Sequence, residues 1–227
     1  DKVAVVVEVN SETDFVAKNE KFQSFVASVA KQALVSKSEN IDEFVQENWI
    51  EDTAKTVKDA LVEQISVIGE NLTIRRFEKV VAQNGCVVSY VHGGGRIGVI
   101  IEADTTVVND QVKTALTNVA MQVAALSPKY VSQADVSEEY KNHEKEILLA
   151  QAKNENPDKP ESIIEKMIIG RLNKELKEVC LCEQVYVKAE DGKQTVDAYL
   201  KQISKEVGSD VVIKRFVRFE TGEGIEK

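Results

Sequence analysis

Apolar and polar positions along the chain change period several times, and each change predicts an element. Val3-Ala4-Val5-Val6-Val7-Glu8-Val9 is almost continuously apolar and β-branched, which predicts a strand. Over 18–34, Phe22, Phe25, Val26, Val29, Ala30 and Ala33 recur at spacings of three and four, one apolar stripe on a helix. Asn10-Ser11-Glu12-Thr13-Asp14-Phe15-Val16-Ala17-Lys18-Asn19 joins the two. Thr13 is an N-cap candidate, since its hydroxyl can accept a bond from a free backbone N–H of the first turn. Asp14 then sits at the positive end of the helix dipole. Phe15 precedes Phe22 by seven residues and faces roughly the same side of a continuous helix. Two readings are open for it. It is the first core residue of the stripe, as large apolar residues mostly are, or it stands out of the fold and enters something else.

The pattern repeats itself. Val67-Ile68-Gly69-Glu70-Asn71-Leu72-Thr73-Ile74-Arg75-Arg76-Phe77 aligns with Glu206-Val207-Gly208-Ser209-Asp210-Val211-Val212-Ile213-Lys214-Arg215-Phe216. In both, a helix ends at a glycine, as left-handed C-caps favour, and an alternating strand follows. The strand over 5–10 and the helix over 18–34 parallel a strand over 98–103 and a helix over about 109–126. The chain therefore reads as α+β, with two related modules at 1–85 and 86–227. Each is a small antiparallel sheet covered by helices on one face. Trp49, near Phe44 and Val45, is placed on an amphipathic helix as a core or domain-seam residue.

The second module carries an insertion at about 137–179 that reads helix, turn, helix. Tyr140, Ile147, Leu148 and Ala152 mark one stripe; Ile164, Met167, Ile168, Leu172, Leu176 and Val179 mark the other. Asn156-Pro157-Asp158-Lys159-Pro160 cannot continue a helix, because proline lacks the N–H and clashes with the preceding turn. The result is an antiparallel hairpin. Glu144, Lys145, Glu146, Glu165, Lys166, Lys174 and Glu175 beside the stripes suit the solvated flanks of a coiled coil that serves as an interaction arm or a docking brace.

Composition narrows the function class. At 227 residues, 43% apolar and 30% charged, the chain suits a soluble globular protein of one large or two small domains. A formal net charge of −9 argues against a nucleic-acid surface as the main activity. No apolar run of about eighteen residues predicts a membrane span. Neither a signal peptide nor a transit segment is visible, though a trimmed N-terminus could have carried either, so a cytoplasmic location is expected and an organellar origin stays open. Cys86, Cys180 and Cys182 are an odd count without zinc spacing, and read as small apolar residues in a reducing compartment.

Candidate chemistry is sparse. Gly93-Gly94-Gly95-Arg96-Ile97-Gly98 matches Gly-x-Gly-x-x-Gly, but strand-like segments lie on both sides, which predicts a β-hairpin turn instead of a dinucleotide site. His92-Gly93-Gly94-Gly95 resembles an oxyanion-hole sequence of some esterases, yet the chain has no Gly-x-Ser-x-Gly elbow. No Walker sequence is present. Asp42, Glu43, Glu47, Glu51 and Asp52 lack the spacing of a calcium loop and read as solvated helix faces. No cofactor, no metal and no catalytic residue are expected. His92 is either a hairpin-tip residue with ordinary hydrogen bonds or a partner contact.

The run from Glu8 to Asn19, with Thr13-Asp14-Phe15 at its centre, resembles the signature of bacterial elongation factor Ts. Ile68-Gly69-Glu70-Asn71-Leu72-Thr73-Ile74-Arg75-Arg76 is similar to a segment of that family, as is Tyr90-Val91-His92 with Arg96-Ile97-Gly98-Val99. So is Arg218-Phe219-Glu220-Thr221-Gly222-Glu223-Gly224-Ile225-Glu226-Lys227. All occur in the family's order. The resemblance implies a guanine-nucleotide exchange factor that binds elongation factor Tu, GDP-bound and nucleotide-free, and does no bond chemistry. It implies that Phe15 is a wedge entering the partner, Thr13 and Asp14 the polar shoulders of the turn, and Val16 its apolar support. It also implies a partner-contacting histidine at the turn of His92 and a coiled-coil insertion at the helical hairpin. Family members normally begin with a helical domain of about fifty residues, a size able to fold alone. This chain starts at the first core strand and is expected to be a fragment of the two central modules and the hairpin. A homodimerising module without exchange activity is the second reading, and a small hydrolase using His92 the third. Direct nucleic-acid or membrane partners are not expected.

Overall fold

The computed structural model describes residues 1–225; Glu226 and Lys227, the end of the last segment quoted above, lie outside the described residues. The elements are β1 (Val3–Asn10), α1 (Asp14–Ala17), α2 (Glu20–Val35), α3 (Ile41–Phe44), β2 (Asn48–Trp49), β3 (Asp52–Thr56), α4 (Val57–Ile68) and β4 (Thr73–Val81). There follow β5 (Cys86–His92), β6 (Ile97–Asp104), α5 (Asp110–Leu126), α6 (Glu138–Glu155), α7 (Glu161–Val179), α8 (Val196–Val207) and β7 (Val212–Glu220). The class is α+β, with antiparallel sheets β1-β4, β2-β3 and β5-β6-β7. Two compact units result: 1–124 with 212–227, and 125–211.

In the first unit β1 is covered on both faces, which explains its nearly unbroken apolar run. Val5, Val7 and Val9 face a core built by Phe22, Phe25 and Val29 of α2 with Phe44, Trp49, Leu72 and Ile74. Ala4 and Val6 face the other way, onto Val80, Val87, Ile100 and Val217, so that the two larger sheets pack against each other. Gly98 sits at that seam, where a Cβ would come within 2.8 Å of a Val6 methyl.

Glu8 belongs to this second face by alternation, yet it is 3% exposed. A β-bulge makes that tolerable. Glu8 pairs with Arg76 and Val9 with Ile74, so Arg75 is the extra residue and both arginines oppose one glutamate. Arg75 Nη1 reaches Glu8 Oε1 at 3.0 Å and Arg76 Nε reaches Oε2 at 2.6 Å. Asn10 Nδ2 and the Gly222 N–H donate to Oε1 at 3.0 and 2.9 Å. The arginines continue to the strand end of β7: Arg76 lies 4.0 Å over the Phe219 ring and donates to the Glu220 carbonyl, and Arg75 donates to the Glu223 carbonyl.

The repeat seen in the sequence has a geometric counterpart here. Between β6 and β7 the register shifts at the equivalent place: Glu102 pairs with Arg215, Ala103 with Ile213, and Lys214 is extra. Arg215 Nε meets Glu102 at 3.2 Å and Lys214 Nζ meets Asp104 at 3.5 Å. Gly69 and Gly208 both close their helices in the left-handed region, at φ 81° and 70°.

Three expectations for the first unit need correction. The helix after β1 is not continuous with the Thr13 turn. It stops after Ala17 and restarts at Glu20, because Asn19 Oδ1 accepts from the Lys21 and Phe22 N–H groups and caps a new helix. Trp49 is buried, as expected, but in a short strand and not on a helix. The Glu47 carboxylate accepts from Gln32, Ser36 and Ser38 at 2.9, 2.8 and 2.7 Å, which pins the chain after α3 and turns it into β2. Glu47 is therefore a half-buried, hydrogen-bonded anchor and not a solvated charge, whereas Glu51 accepts from Ser28 and stays exposed.

The second unit contains the hairpin. Ala152 packs with Ile164 and Ile168 near the turn, while Tyr140 packs with Leu172 and Leu176 at the other end, so α6 and α7 run antiparallel. Ile147 is exposed and does not join the stripe; Leu148 packs as expected and Leu149 packs beside it. Cys86 and Cys180 are buried, Cys182 is half-buried, and all three are free. Burial pushes the Cys180 and Cys182 thiols up to about 11, so they pack as apolar groups.

Burial alone would raise the Glu8 pKa. The bonds from Gly222, Asn10, Arg75 and Arg76 outweigh it and hold the group below its ordinary 4.5. A depressed folded value contributes stability above pH 4.5 that is lost as pH falls through the folded value. Glu8→Gln should lower the unfolding free energy at neutral pH by about 2–3 kcal/mol, because two guanidinium groups lose their shared anion. It should also flatten the fall in stability between about pH 5 and pH 3. Urea titrations of both proteins across that range measure the two effects.

Candidate functional site

The Thr-Asp-Phe segment forms a single helical turn braced from several directions. Thr13 is extended, at φ −125° and ψ 152°, and its hydroxyl accepts the Val16 N–H at 3.3 Å, the N-cap bond expected. The same hydroxyl donates to Glu70 Oε1 at 2.6 Å, and the Thr13 N–H donates to Glu70 Oε2 at 3.1 Å. In return the Asn71 N–H donates to Glu12 Oε2 at 3.3 Å. The Ser11 hydroxyl closes the loop onto the Thr13 carbonyl at 3.1 Å. Beneath the turn, Val16 and Ala17 pack on the core that contains Phe22 and Trp49.

Phe15 is 87% exposed. The break at Lys18 and Asn19 uncouples it from the α2 stripe, so the seven-residue spacing to Phe22 no longer sets its direction. Of the two readings left open by the sequence, the core reading is overturned. No residue of α1 is buried. Asp14 is exposed beside it and meets Arg96 Nη2 at 3.4 Å.

Arg96 comes from the glycine-rich hairpin, and it brings the two candidate segments together. β5 and β6 pair from Cys86↔Ala103 to His92↔Ile97, as the sequence predicts. Gly93, Gly94 and Gly95 turn at φ 62°, 66° and 98°, a run of left-handed residues that only glycine adopts without strain. The Arg96 N–H donates to the His92 carbonyl at 3.1 Å, and the Arg96 carbonyl accepts from the Thr221 N–H at 2.9 Å. His92 is exposed, with Nδ1 2.9 Å from the Tyr90 hydroxyl.

The described bond of His92 is to a phenol and not to a nucleophile held for attack. Among the described residues no group of three or more His, Cys, Asp or Glu side chains could hold a metal ion. No helix among them is long and apolar enough to cross a membrane. The Asp14–Arg96 pair is solvated on both sides and contributes little energy. What the site offers is one large apolar side chain, presented to solvent by a turn that Glu70 bonds and Val16 anchors to the core. Glu12, Glu70 and Arg96 were not singled out from the sequence. Glu70 and Arg96 stood inside recognisable segments, but a long-range hydrogen bond leaves no periodic signal.

A family model described as Elongation factor TS matches residues 12–223. The chain belongs to the elongation factor Ts family. Elongation factor Ts of Clostridium kluyveri is 49% identical over 226 residues, covering 100% of this chain and 72% of the relative. The protein of the same name from Clostridioides difficile is 50% identical over 225 residues, with 99% and 72% covered. That from Clostridium tetani is 46% identical over 226 residues, with 100% and 73% covered. The match takes in both the Thr13–Val16 turn and the glycine-rich hairpin, which the Asp14–Arg96 pair links.

Exposure sets an expected result. Phe15→Ala should change the unfolding free energy by less than about 0.5 kcal/mol. Phe22→Ala, on the buried stripe seven residues later, should cost about 3–5 kcal/mol. Chemical denaturation of the two variants side by side checks the assignment of surface and core.

Proposed function

We propose that this chain is a guanine-nucleotide exchange factor for elongation factor Tu, acting during translation elongation in the bacterial cytoplasm. Membership of the elongation factor Ts family supports a role in elongation. The observation that carries the mechanism is the exposed Phe15 on a braced turn.

Phe15 enters an apolar pocket in the nucleotide-binding domain of the partner. Asp14 and Thr13 flank it as polar shoulders, and Val16 supports the turn from the core side. The displacement in the partner reaches the groups that hold Mg²⁺ and the phosphates of GDP, and GDP leaves. The thermodynamic reason is linkage. A protein that binds the nucleotide-free partner better than the GDP form must weaken GDP by the same factor. Moving one phenyl ring from water into a fitted pocket supplies about 2–3 kcal/mol of that difference. His92, on the neighbouring hairpin, contributes a contact to association and no chemistry. The chain is thus a binding protein and not an enzyme. The division into modules at 1–85 and 86–227 is our reading of the internal repeat, and the helical hairpin is our candidate for a coiled-coil interaction arm.

Release of labelled GDP from loaded elongation factor Tu tests this reading. The chain should accelerate release, and Phe15→Ala should lower the rate at saturation by roughly thirty- to hundredfold. His92→Ala should raise the half-saturating concentration and spare the saturating rate. Full activity of Phe15→Ala would sink the wedge, and turnover of an ester or phosphate substrate lost in His92→Ala would replace exchange by hydrolysis.

A further inference from the structure

The Thr-Asp-Phe turn is a one-turn helix of four residues, too short to hold its own shape in water. Its neighbours hold it instead, and the bonds converge on one side chain. Glu70 accepts from both the backbone N–H and the hydroxyl of Thr13, with one carboxylate oxygen for each. The Thr13 hydroxyl, fixed as donor to Glu70, turns its lone pairs to the Val16 N–H and so caps the turn. A single carboxylate thereby sets both the conformation of Thr13 and the start of α1.

Glu70 can do this because its own position is set from two sides. Immediately before it, Gly69 ends α4 in the left-handed region, with its N–H on the Ile65 carbonyl at 2.9 Å. Two residues after it, Leu72 is 2% exposed in the core. Between them Asn71 is bound by Glu12 from the opposing loop, which makes the clamp reciprocal. The 69–72 segment thus carries the rigidity of the core to a surface turn that has no buried residue of its own.

We infer that Glu70 is the positioning residue of the Phe15 turn: its carboxylate holds Thr13 in the capped conformation and so presents Phe15 already ordered for its partner. This inference rests on the docking function proposed above. Without the clamp the turn samples other conformations and only a fraction presents Phe15 correctly. The apparent affinity for the partner falls by that fraction, whereas the step that follows docking is untouched. Loss of Glu70 and loss of Phe15 therefore have different kinetic signatures.

The test uses the whole chain carrying Glu70→Ala or Glu70→Gln. Backbone ¹⁵N relaxation of the isolated protein should show the amides of residues 14–17 falling from rigid values to order parameters below about 0.6 in Glu70→Ala, with α2 unchanged. In GDP release from elongation factor Tu, Glu70→Ala should raise the half-saturating concentration roughly tenfold and keep the saturating rate. Glu70→Gln, which retains one acceptor oxygen for Thr13, should fall between Glu70→Ala and the native chain. The inference is overturned if the turn of Glu70→Ala is as ordered as the native one. It is also overturned if the saturating rate falls at an unchanged half-saturating concentration, since Glu70 would then act on the partner directly. If the native chain releases no GDP while the turn loosens in Glu70→Ala, the clamp stands and the docking function fails.

Discussion

The first unit is organised around one buried carboxylate. β1 is covered on one side by α2 and on the other by the second sheet, and Glu8 faces the second sheet. A lone carboxylate there would be prohibitively costly. The bulge at Arg75 supplies two guanidinium groups on one side of the strand, and Asn10 and Gly222 complete the shell. The same arginines hold the end of β7, so Glu8 fixes β1, β4 and the segment after β7 to one another. The loop that carries Phe15 leaves β1 directly after Asn10, which is itself bound to Glu8. The loop that carries Phe15 thus leaves from a strand end anchored by an almost fully buried charge.

The parts legible in the sequence were those governed by local periodicity and turn chemistry. The stripe of α2, the glycine C-caps at Gly69 and Gly208, the hairpin at 93–95 and the proline break between α6 and α7 all follow from residue spacing. The near-continuous apolar run of β1 was read only as a strand, in a sheet covered on one face, so the sheet packed on its second face went unseen. Failures came where a side chain from a distant segment redirects the chain. Trp49 was assigned to a helix because no pattern announces that Gln32, Ser36 and Ser38 converge on Glu47. In the hairpin stripe read from spacing, Leu148 and Ala152 pack as expected, whereas Ile147 is exposed and Leu149 joins the packed side.

The candidate site shows the same division. Thr13 was recognisable as a cap from its neighbours. The direction of Phe15 was not, because it depends on Asn19 starting a second helix. A helical stripe is an argument about a continuous element, and it fails silently across a break of two residues. The supporting residues Glu70 and Arg96 are distant in sequence from the turn they serve. Pattern reading finds the side chain that is presented and misses the side chains that present it.

The closure of β1 has a temporal consequence. Its partner strand lies some seventy residues further along the chain, and the amide that completes the Glu8 shell lies 214 residues away. During synthesis α2 emerges early enough to cover the first face of β1, but the edge of β1 waits for β4 and the cover on its second face is complete only once β7 arrives. Such long-range closure slows folding and leaves sticky strand edges open to wrong pairings meanwhile. The polar Glu8 in an otherwise valine-rich strand is a safeguard in that interval: a charge near the end of the run discourages a neighbouring nascent chain from adding to it. The residue that locks the finished fold also protects the unfinished one.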